Sequence, residues 1–231
     1  PPRHLDADDR PVIQNRRSTK PCQHRIAELG QLAVLCVRRA SNRGVPTLGM
    51  CTAVLFGAAL ANVDASVTVG PTRQNQRTHI TGADRYPHVY SEVHRLSRSM
   101  RSPPRILVFG AATGQEPLTL AQKYFPRSRI VGADVDNRTL SDARQTCAAV
   151  SGRVTFVNSL EVPLDSLGAR FDIVFANSVL CRHQWDYSRT AAEWYPFSLF
   201  EETVQALDSV LKAGGLLCII NANYRFNDTT V

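Results

Sequence analysis

The second half of the chain alternates short apolar runs with longer stretches whose apolar residues recur at helical spacing. The apolar runs predict five strands, at 105–109, 129–133, 153–157, 171–176 and 215–220. The stretches between them predict helices at about 115–125, 138–149 and 198–212, with Gly214–Gly215 placed to end the last helix. This alternation is typical of a doubly wound α/β fold, in which helices cover both faces of a mainly parallel sheet.

The first part of the chain lacks this alternation. Residues 1–25 hold four prolines and no apolar period, whereas 26–39 has the apolar spacing of a short amphipathic helix. Residues 44–63 form an uncharged run behind several arginines, which imitates a signal peptide or a membrane anchor. Its polar and glycine interruptions favour instead a helix packed on the globular body, or sequence with no defined fold. We therefore expect a basic region of uncertain order at 1–84 and a folded domain at 85–231, with membrane contact through 44–63 as the less favoured alternative.

Composition and charge narrow the classes to which this chain can belong. Of its 231 residues, 43% are hydrophobic and 20% charged, a balance that excludes a disordered or collagen-like chain. The net charge of +7 arises in the first part, since residues 1–104 carry 15 Lys and Arg against 7 Asp and Glu. These cations are scattered without interleaved aromatic residues, so a nucleic-acid partner is not favoured. The six cysteines form no CxxC pair, which argues against a zinc site and favours a reducing, cytoplasmic location.

The first predicted strand ends in a turn of small residues, at the edge of the sheet where ligands bind in such folds. The turn consists of Gly110, Ala111, Ala112, Thr113 and Gly114. Its glycines allow a ligand to approach the backbone closely, and the helix that follows presents free N–H groups to an anion. The dinucleotide fingerprint GxGxxG is not met, because Ala112 and Gln115 stand at its third and sixth positions.

A carboxylate follows the second predicted strand, at Asp134 in the segment IVGADVD. An acid at the end of this strand can accept two hydrogen bonds from ribose hydroxyls, whether the ligand is a dinucleotide or another adenosine compound. The alternative is that Asp134 only caps the next helix or turn. The glycine turn in register with Asp134 favours nucleoside binding.

Residues 105–223 resemble the class I S-adenosylmethionine-dependent methyltransferases along their whole length. RILVFGAATGQEPLTLA is similar to the first motif of that superfamily, and IVGADVDNRTLSDAR is similar to the second-strand motif with its ribose-binding acid. VTFVNSLEVP, FDIVFANSVLCRH and LDSVLKAGGLLCII are similar to the segments around the third, fourth and fifth strands. Within the superfamily, GAATGQEP resembles the first motif of chemotaxis-receptor methyltransferases.

This resemblance implies a Rossmann-like sheet, S-adenosyl-L-methionine as cofactor, and methyl transfer as the reaction. It implies a binding site that combines the turn at 110–114 with Glu116, Asp134, Val135, Asn158, Ser159, Asn177 and Ser178. Asn158 is expected to contact the exocyclic amine of adenine. Asn177 and Ser178 are expected to lie near the transferred methyl group.

Glu116 takes its implied role from a departure in the first motif. Val108 stands where most of the superfamily has the acid that holds the methionine amino group, so that role passes to Glu116. The alternative is that Glu116 is a helix N-terminal residue favoured by the helix dipole.

The catalytic residues stay unassigned, since a sulfonium donor is already activated and transfer needs mainly alignment, and the cysteine pattern predicts no metal site. His183 as a base is the minority interpretation, and Cys181 is interpreted as a buried apolar residue. The aromatic-rich segment 185–197 either lines an acceptor pocket or simply packs. The methyl acceptor is an unidentified small molecule or protein. A non-catalytic S-adenosylmethionine-binding or scaffold domain is the main alternative, and a nicotinamide-dependent oxidoreductase is less favoured.

Two expectations concern the ends of the chain. Eleven residues follow Ile220, whereas the family sheet usually continues with an antiparallel hairpin, so a sheet that lacks its C-terminal strands is the alternative to a complete one. The last predicted strand would then be an exposed apolar edge. Because every motif lies after Arg105, we expect the region before about residue 80 to be dispensable for donor binding.

Overall fold

The computed structural model describes residues 35–38, 73–167, 170–182 and 191–231. These residues include six strands: β1 Leu35–Arg38, β2 Arg105–Phe109, β3 Arg129–Asp134, β4 Val154–Asn158, β5 Phe171–Asn177 and β6 Leu211–Ile220. They form one sheet in the order β1-β6-β5-β2-β3-β4, in which β2 to β6 are parallel and β1 is antiparallel to β6. The strand order reverses between β2 and β5. The predicted doubly wound, Rossmann-like α/β fold is confirmed.

The described helices are α1 Pro87–Ser97, α2 Gln115–Thr119, α3 Asn137–Thr146, α4 Ala191–Trp194 and α5 Phe197–Ser209. A π-helical turn at Leu120–Tyr124 continues α2, and 3₁₀ turns lie at Ala148–Val150, Leu164–Leu167 and Phe226–Asp228. The three helices predicted from apolar spacing are confirmed, with ends shifted by a few residues. Helix α1 is not among the predicted helices, although Val89, Tyr90 and Val93 are buried at helical spacing behind Pro87.

Helices cover both faces of the sheet, which explains why its strands are continuous apolar runs. In β2, Ile106 and Val108 belong to the apolar cluster on the α1 side, together with Tyr90. Leu107 and Phe109 belong to the cluster on the α5 side. All five side chains are buried. Successive residues of a strand point to opposite faces, so each face of this sheet needs its own apolar set.

The described residues of the N-terminal part differ from the sequence prediction. Residues 35–38 fall within the helix predicted at 26–39 but form β1, with Leu35 opposite Ile219 and Arg38 opposite Leu216. The helix prediction is wrong at these residues because pairing with the edge of β6 satisfies backbone groups of both strands. The edge of β6, which is expected to be exposed in a sheet without C-terminal strands, is therefore paired with β1.

The apolar run at 44–63 lies outside the described residues. Among the helices that the structure describes, none is both long and apolar enough to cross a membrane.

Gly214–Gly215 does not end a helix, contrary to the prediction. Helix α5 ends at Ser209, and both glycines lie within β6. The register passes from Phe171 opposite Leu211 to Ile173 opposite Leu216, so β6 carries extra residues there. Gly214 has φ +77°, which permits this irregularity at no steric cost.

Candidate functional site

A cleft lies at the carboxyl ends of β2, β3 and β5, beside the reversal in strand order. Most of residues 73–82, which we call the covering segment, form one wall of this cleft. The cleft brings together eight of the predicted site residues: Gly110, Ala112, Glu116, Asp134, Val135, Ser159, Asn177 and Ser178. Its described lining does not include Ala111, Thr113, Gly114 or Asn158.

The turn after β2 depends on glycine at both ends. The N–H groups of Gly110 and Ala111 donate to Ala133 O, at 2.8 and 3.0 Å, which folds the turn back onto β3. Gly110 has φ +80° and Gly114 has φ +84°, a conformation that L side chains rarely adopt. A Cβ atom on Gly110 would lie 2.6 Å from Val179 Cγ2. The turn therefore approaches the loop after β5 too closely for any side chain at Gly110.

Asp134 is 7% exposed, and its carboxylate ties the turn to the end of β3. Oδ2 accepts from Ala112 N at 2.8 Å, while Oδ1 accepts from Val135 N at 2.8 Å and Asp136 N at 3.3 Å. Asp136, not Asp134, caps α3, since its side chain accepts from two N–H groups of the first turn. Asp134 thus does not cap the helix, but its bonds from Val135 N and Asp136 N fit the alternative in which it caps the turn after β3. A carboxylate oxygen has two lone pairs, so Oδ2 can still accept a bond from a hydroxyl group in the cleft.

Glu116 is buried in the first turn of α2, beside the end of β5. Its Oε1 accepts a 2.6 Å hydrogen bond from Asn177 Nδ2. Burial raises the pKa of Glu116 to about 7, while the bond from Asn177 and the charge of Arg85 act in the opposite direction. Asn177 Oδ1 is buried and has no hydrogen-bond partner among the residues that the structure describes. A carboxyl group and an unpaired amide oxygen therefore line the cleft together, a combination suited to a cationic group with several N–H donors.

The side chain of Asn158, at the end of β4, bonds to the start of α3 and to the loop after β4. Its Nδ2 donates to Asn137 Oδ1 at 3.0 Å and to Glu161 Oε1 at 3.1 Å. The next residue, Ser159, lines the cleft, and its N–H donates to Asp134 O at 2.9 Å. The adenine contact of Asn158 stays a prediction, and the bonds seen here fix the loop that carries Ser159.

A polar cluster beside Asn177 joins Tyr86 before α1, Ser178 after β5 and Asn221 after β6. The hydroxyl oxygens of Tyr86 and Ser178 are 2.5 Å apart, and Asn221 Nδ2 donates to both, at 3.2 and 2.8 Å. Ser178 and Asn221 have φ +54° and +53°, an uncommon conformation for residues other than glycine. One hydroxyl proton serves the bond between Tyr86 and Ser178, which leaves the second for a ligand. Burial raises the pKa of Tyr86, so its hydroxyl stays protonated. Tyr86 and Asn221 are not among the predicted site residues, because no local sequence pattern distinguishes them.

The covering segment is anchored by Asn75, which is 3% exposed. Asn75 Oδ1 accepts from the Tyr195 hydroxyl at 2.5 Å, and Asn75 Nδ2 donates to Thr203 Oγ1 at 3.1 Å. The Arg182 guanidinium donates to the backbone oxygens of Asn75 and Gln74, each at 2.7 Å. The expectation that the chain before about residue 80 is dispensable for donor binding stays a prediction, although these bonds anchor the segment from residue 73 on the domain that carries the cleft. The partners of Asn75 follow it by 120 and 128 residues, so no local pattern predicts this anchor. The domain division at 84/85 stays a prediction.

The other candidate residues after β5 are packed or lie outside the described residues. Cys181 is buried and accepts from Gln76 Nε2 at 3.3 Å, in line with its interpretation as a packed residue. His183, Trp185 and Tyr187 lie outside the described residues. The remaining aromatic residues of this segment pack in the α5-side cluster: Trp194, Tyr195 and Phe197. Within the described part of the chain, no group of three His, Cys, Asp or Glu residues could hold a metal ion.

Sequence comparison connects this arrangement with a known family. Residues 106–215 match the methyltransferase domain family. The matched residues include the glycine turn and extend from β2 into β6. No curated protein matches the chain in sequence.

Several solved structures have a similar fold, and some of them are methyltransferases by name. TrmN from Thermus thermophilus is 21% identical, with a TM-score of 0.44 over 62% of this chain and 39% of that one. The N-methyltransferase NodS from Bradyrhizobium japonicum is 20% identical, with a TM-score of 0.41 over 59% of this chain and 69% of that one. A methyltransferase from Thiobacillus denitrificans, solved with S-adenosyl-L-homocysteine, is 16% identical, with a TM-score of 0.41 over 62% of this chain and 49% of that one. The chain thus spans about two fifths of TrmN and half of the Thiobacillus protein.

Proposed function

We propose that this chain, whose residues 106–215 match a methyltransferase domain, transfers a methyl group from S-adenosyl-L-methionine to a small molecule or a protein. The observation that carries the proposal is the placement of two polar groups on either side of the glycine turn. Asp134 ends β3, Asn177 ends β5 with Glu116 beside it, and β2 with its turn lies between them. Strands two positions apart in a sheet are separated by about 10 Å. The cleft therefore offers an acceptor for a ribose hydroxyl on one side and a site for an ammonium group on the other.

The methionine end of the donor fits the groups beside β5. An ammonium group has three N–H donors, and Glu116 with the unpaired Asn177 Oδ1 can accept two of them. The methionine carboxylate needs a cation, and Arg85 lines the cleft close enough to act on the charge of Glu116. Val108 cannot take the acid's role, because its side chain is a hydrocarbon without an acceptor atom. These points support a first motif of the chemotaxis-receptor type, with Glu116 as its acid.

The reaction requires alignment more than acid–base chemistry. The sulfonium of the donor supplies a methyl group that is already activated for in-line displacement. The residues of this chain hold the two ends of the donor and exclude water between β2 and the covering segment. Tyr86 and Ser178 offer one hydroxyl proton beside Asn177, and we assign this proton to orienting the acceptor. A base is needed only if the acceptor carries a proton in its reactive form.

Two measurements test the proposal. Isothermal titration of the folded chain with S-adenosyl-L-homocysteine should give saturable heat, and its absence at millimolar ligand would contradict donor binding. Incubation of a cell extract with methyl-labelled donor should then transfer label in a protein-dependent manner. Binding without transfer would favour the alternative of a non-catalytic binding or scaffold domain. Heat with NAD instead would favour an oxidoreductase.

We also propose a cytoplasmic location and no nucleic-acid partner. The absence of any CxxC pair among six cysteines supports a reducing compartment. The scattered arginines of 1–104 support a solvated segment rather than a nucleic-acid contact. Cell fractionation with an antibody to the chain tests the location.

A further inference from the structure

The covering segment is held at both ends, which fixes the residues between over the cleft. Its beginning is anchored by the buried Asn75. Beyond its other end, Asp84 pairs with Lys123 and accepts a 2.7 Å bond from the Tyr124 hydroxyl. Arg85 Nη1 also donates to Ile80 O at 3.0 Å. A segment with these attachments keeps its position without help from a ligand.

His79 lies in this segment, opposite the two carboxylates that follow β3. Its Nδ1 is 3.8 Å from Asp134 Oδ1, and its Nε2 is 3.6 Å from Asp136 Oδ2. Both separations exceed the usual length of a direct hydrogen bond, about 2.7–3.2 Å. Two atoms 3.8 Å apart can, however, both contact one oxygen placed to the side, at about 2.8 Å from each. A hydroxyl group beside both side chains can therefore reach His79 and the Asp134 carboxylate, whose Oδ2 accepts only from Ala112 N among the described residues.

We propose that His79 is a second ribose-binding residue, which completes the nucleoside subsite from outside the family-matched region. A sugar hydroxyl would donate its proton to Asp134 Oδ2, which holds a single N–H donor, and accept a hydrogen bond from an imidazole N–H of His79. A deoxyribose lacks one of the two hydroxyls, so this pair selects ribonucleosides. His79 is 31% exposed, which places it at the edge of the cleft rather than in the core. The inference rests on the proposed function, because the ribose is that of the methyl donor.

Binding measurements on the full chain test the role of His79 separately from the proposed function. The probes are S-adenosyl-L-homocysteine and its 2′-deoxy and 3′-deoxy analogues. In His79→Ala, the affinity for the parent compound should fall about tenfold, the value of one hydrogen bond. For the analogue that lacks the contacted hydroxyl, the wild type and His79→Ala should bind equally. His88→Ala is the matched control, since His88 is exposed on α1, outside the cleft lining.

Each outcome of these measurements bears either on the role of His79 or on the proposed function. Equal affinity of the wild type and His79→Ala for the parent compound would overturn the role of His79. An equal loss for all three compounds would also overturn it, because the effect would then not pass through a hydroxyl. His79→Gln retains a side-chain N–H donor and should recover part of the affinity, while unchanged melting temperatures show that both variants are folded. A wild type that binds none of the three compounds would instead overturn the proposed function.

Discussion

Asn177 at the end of β5 donates to the buried carboxyl group of Glu116 on α2, over 2.6 Å. This bond favours the ionised form of Glu116, yet burial outweighs it and raises the pKa to about 7 from the ordinary 4.5. The site therefore holds a carboxyl group that is half protonated near neutral pH. A cationic ligand that reaches Glu116 replaces the lost hydration and should complete its ionisation.

Glu116→Gln should change how stability depends on pH. In the wild type, the folded state binds a proton at Glu116 more tightly than the unfolded state, so stability falls as the pH rises from about 4.5 to about 7. A pKa difference of this size corresponds to about 3 kcal/mol. Glu116→Gln should lack this loss, and be more stable than the wild type at pH 8 but not at pH 4. Urea titrations from pH 4 to 8 measure this, with exposed Glu202→Gln as the control. Parallel stability curves for the wild type and Glu116→Gln would contradict the buried carboxyl assignment.

Donor affinity should depend on the same proton. An ammonium group prefers the ionised Glu116, so binding below pH 7 must release a proton from it. Affinity for S-adenosyl-L-homocysteine should fall by up to about tenfold for each pH unit below 7 and level off above it. Calorimetry in buffers of different ionisation enthalpy counts the proton released. The same release from Glu116→Gln would place the titrating group elsewhere.

Asp134→Asn should weaken every ligand that carries the ribose. The change removes the charge of the acceptor, and a hydrogen bond to a charged group contributes about 1.5–3 kcal/mol. S-adenosyl-L-homocysteine and methylthioadenosine, which lacks the amino-acid end, should lose affinity alike, whereas Glu116→Gln should weaken only the first. Asp165→Asn, at an exposed position in a 3₁₀ turn, is the control. If Glu116→Gln weakened both compounds equally, Glu116 would support the turn without touching the ligand.

The sequence predicts the parts of this molecule whose signal is local. The runs around Ile106 and Ile130 predict strands because both faces of the sheet are buried, and the turn at Gly110 is recognisable because only glycine fits there. The sequence does not predict β1, since the pairing of Leu35–Arg38 with β6 depends on a partner strand almost two hundred residues away. For the same reason Asn75 escapes sequence analysis.

Gly110→Ala should damage both the fold and the site. A Cβ atom there would lie 2.6 Å from Val179 Cγ2 and 2.7 Å from Val179 Cβ, and alanine disfavours φ +80°. A strained backbone of this kind costs about 1–3 kcal/mol before any displacement of Val179. Gly152→Ala is the matched control, because a Cβ atom there meets nothing within 4 Å. Thermal unfolding should show a lower melting point for Gly110→Ala only, and equal melting points would contradict the close approach.

Asn75→Ala should release the covering segment from the body of the domain. The substitution leaves the buried Tyr195 hydroxyl without its acceptor and removes the bond to Thr203, a loss of about 1–3 kcal/mol. Trypsin should then cut more rapidly at Arg77, and affinity for S-adenosyl-L-homocysteine should fall as the wall of the cleft loosens. The neighbouring Gln74→Ala alters an exposed side chain and leaves the backbone oxygen that accepts from Arg182 in place. Cleavage and affinity should therefore be unchanged in Gln74→Ala. If Asn75→Ala lowered stability but left cleavage at Arg77 and ligand affinity as in the wild type, the covering segment would have no part in binding the donor.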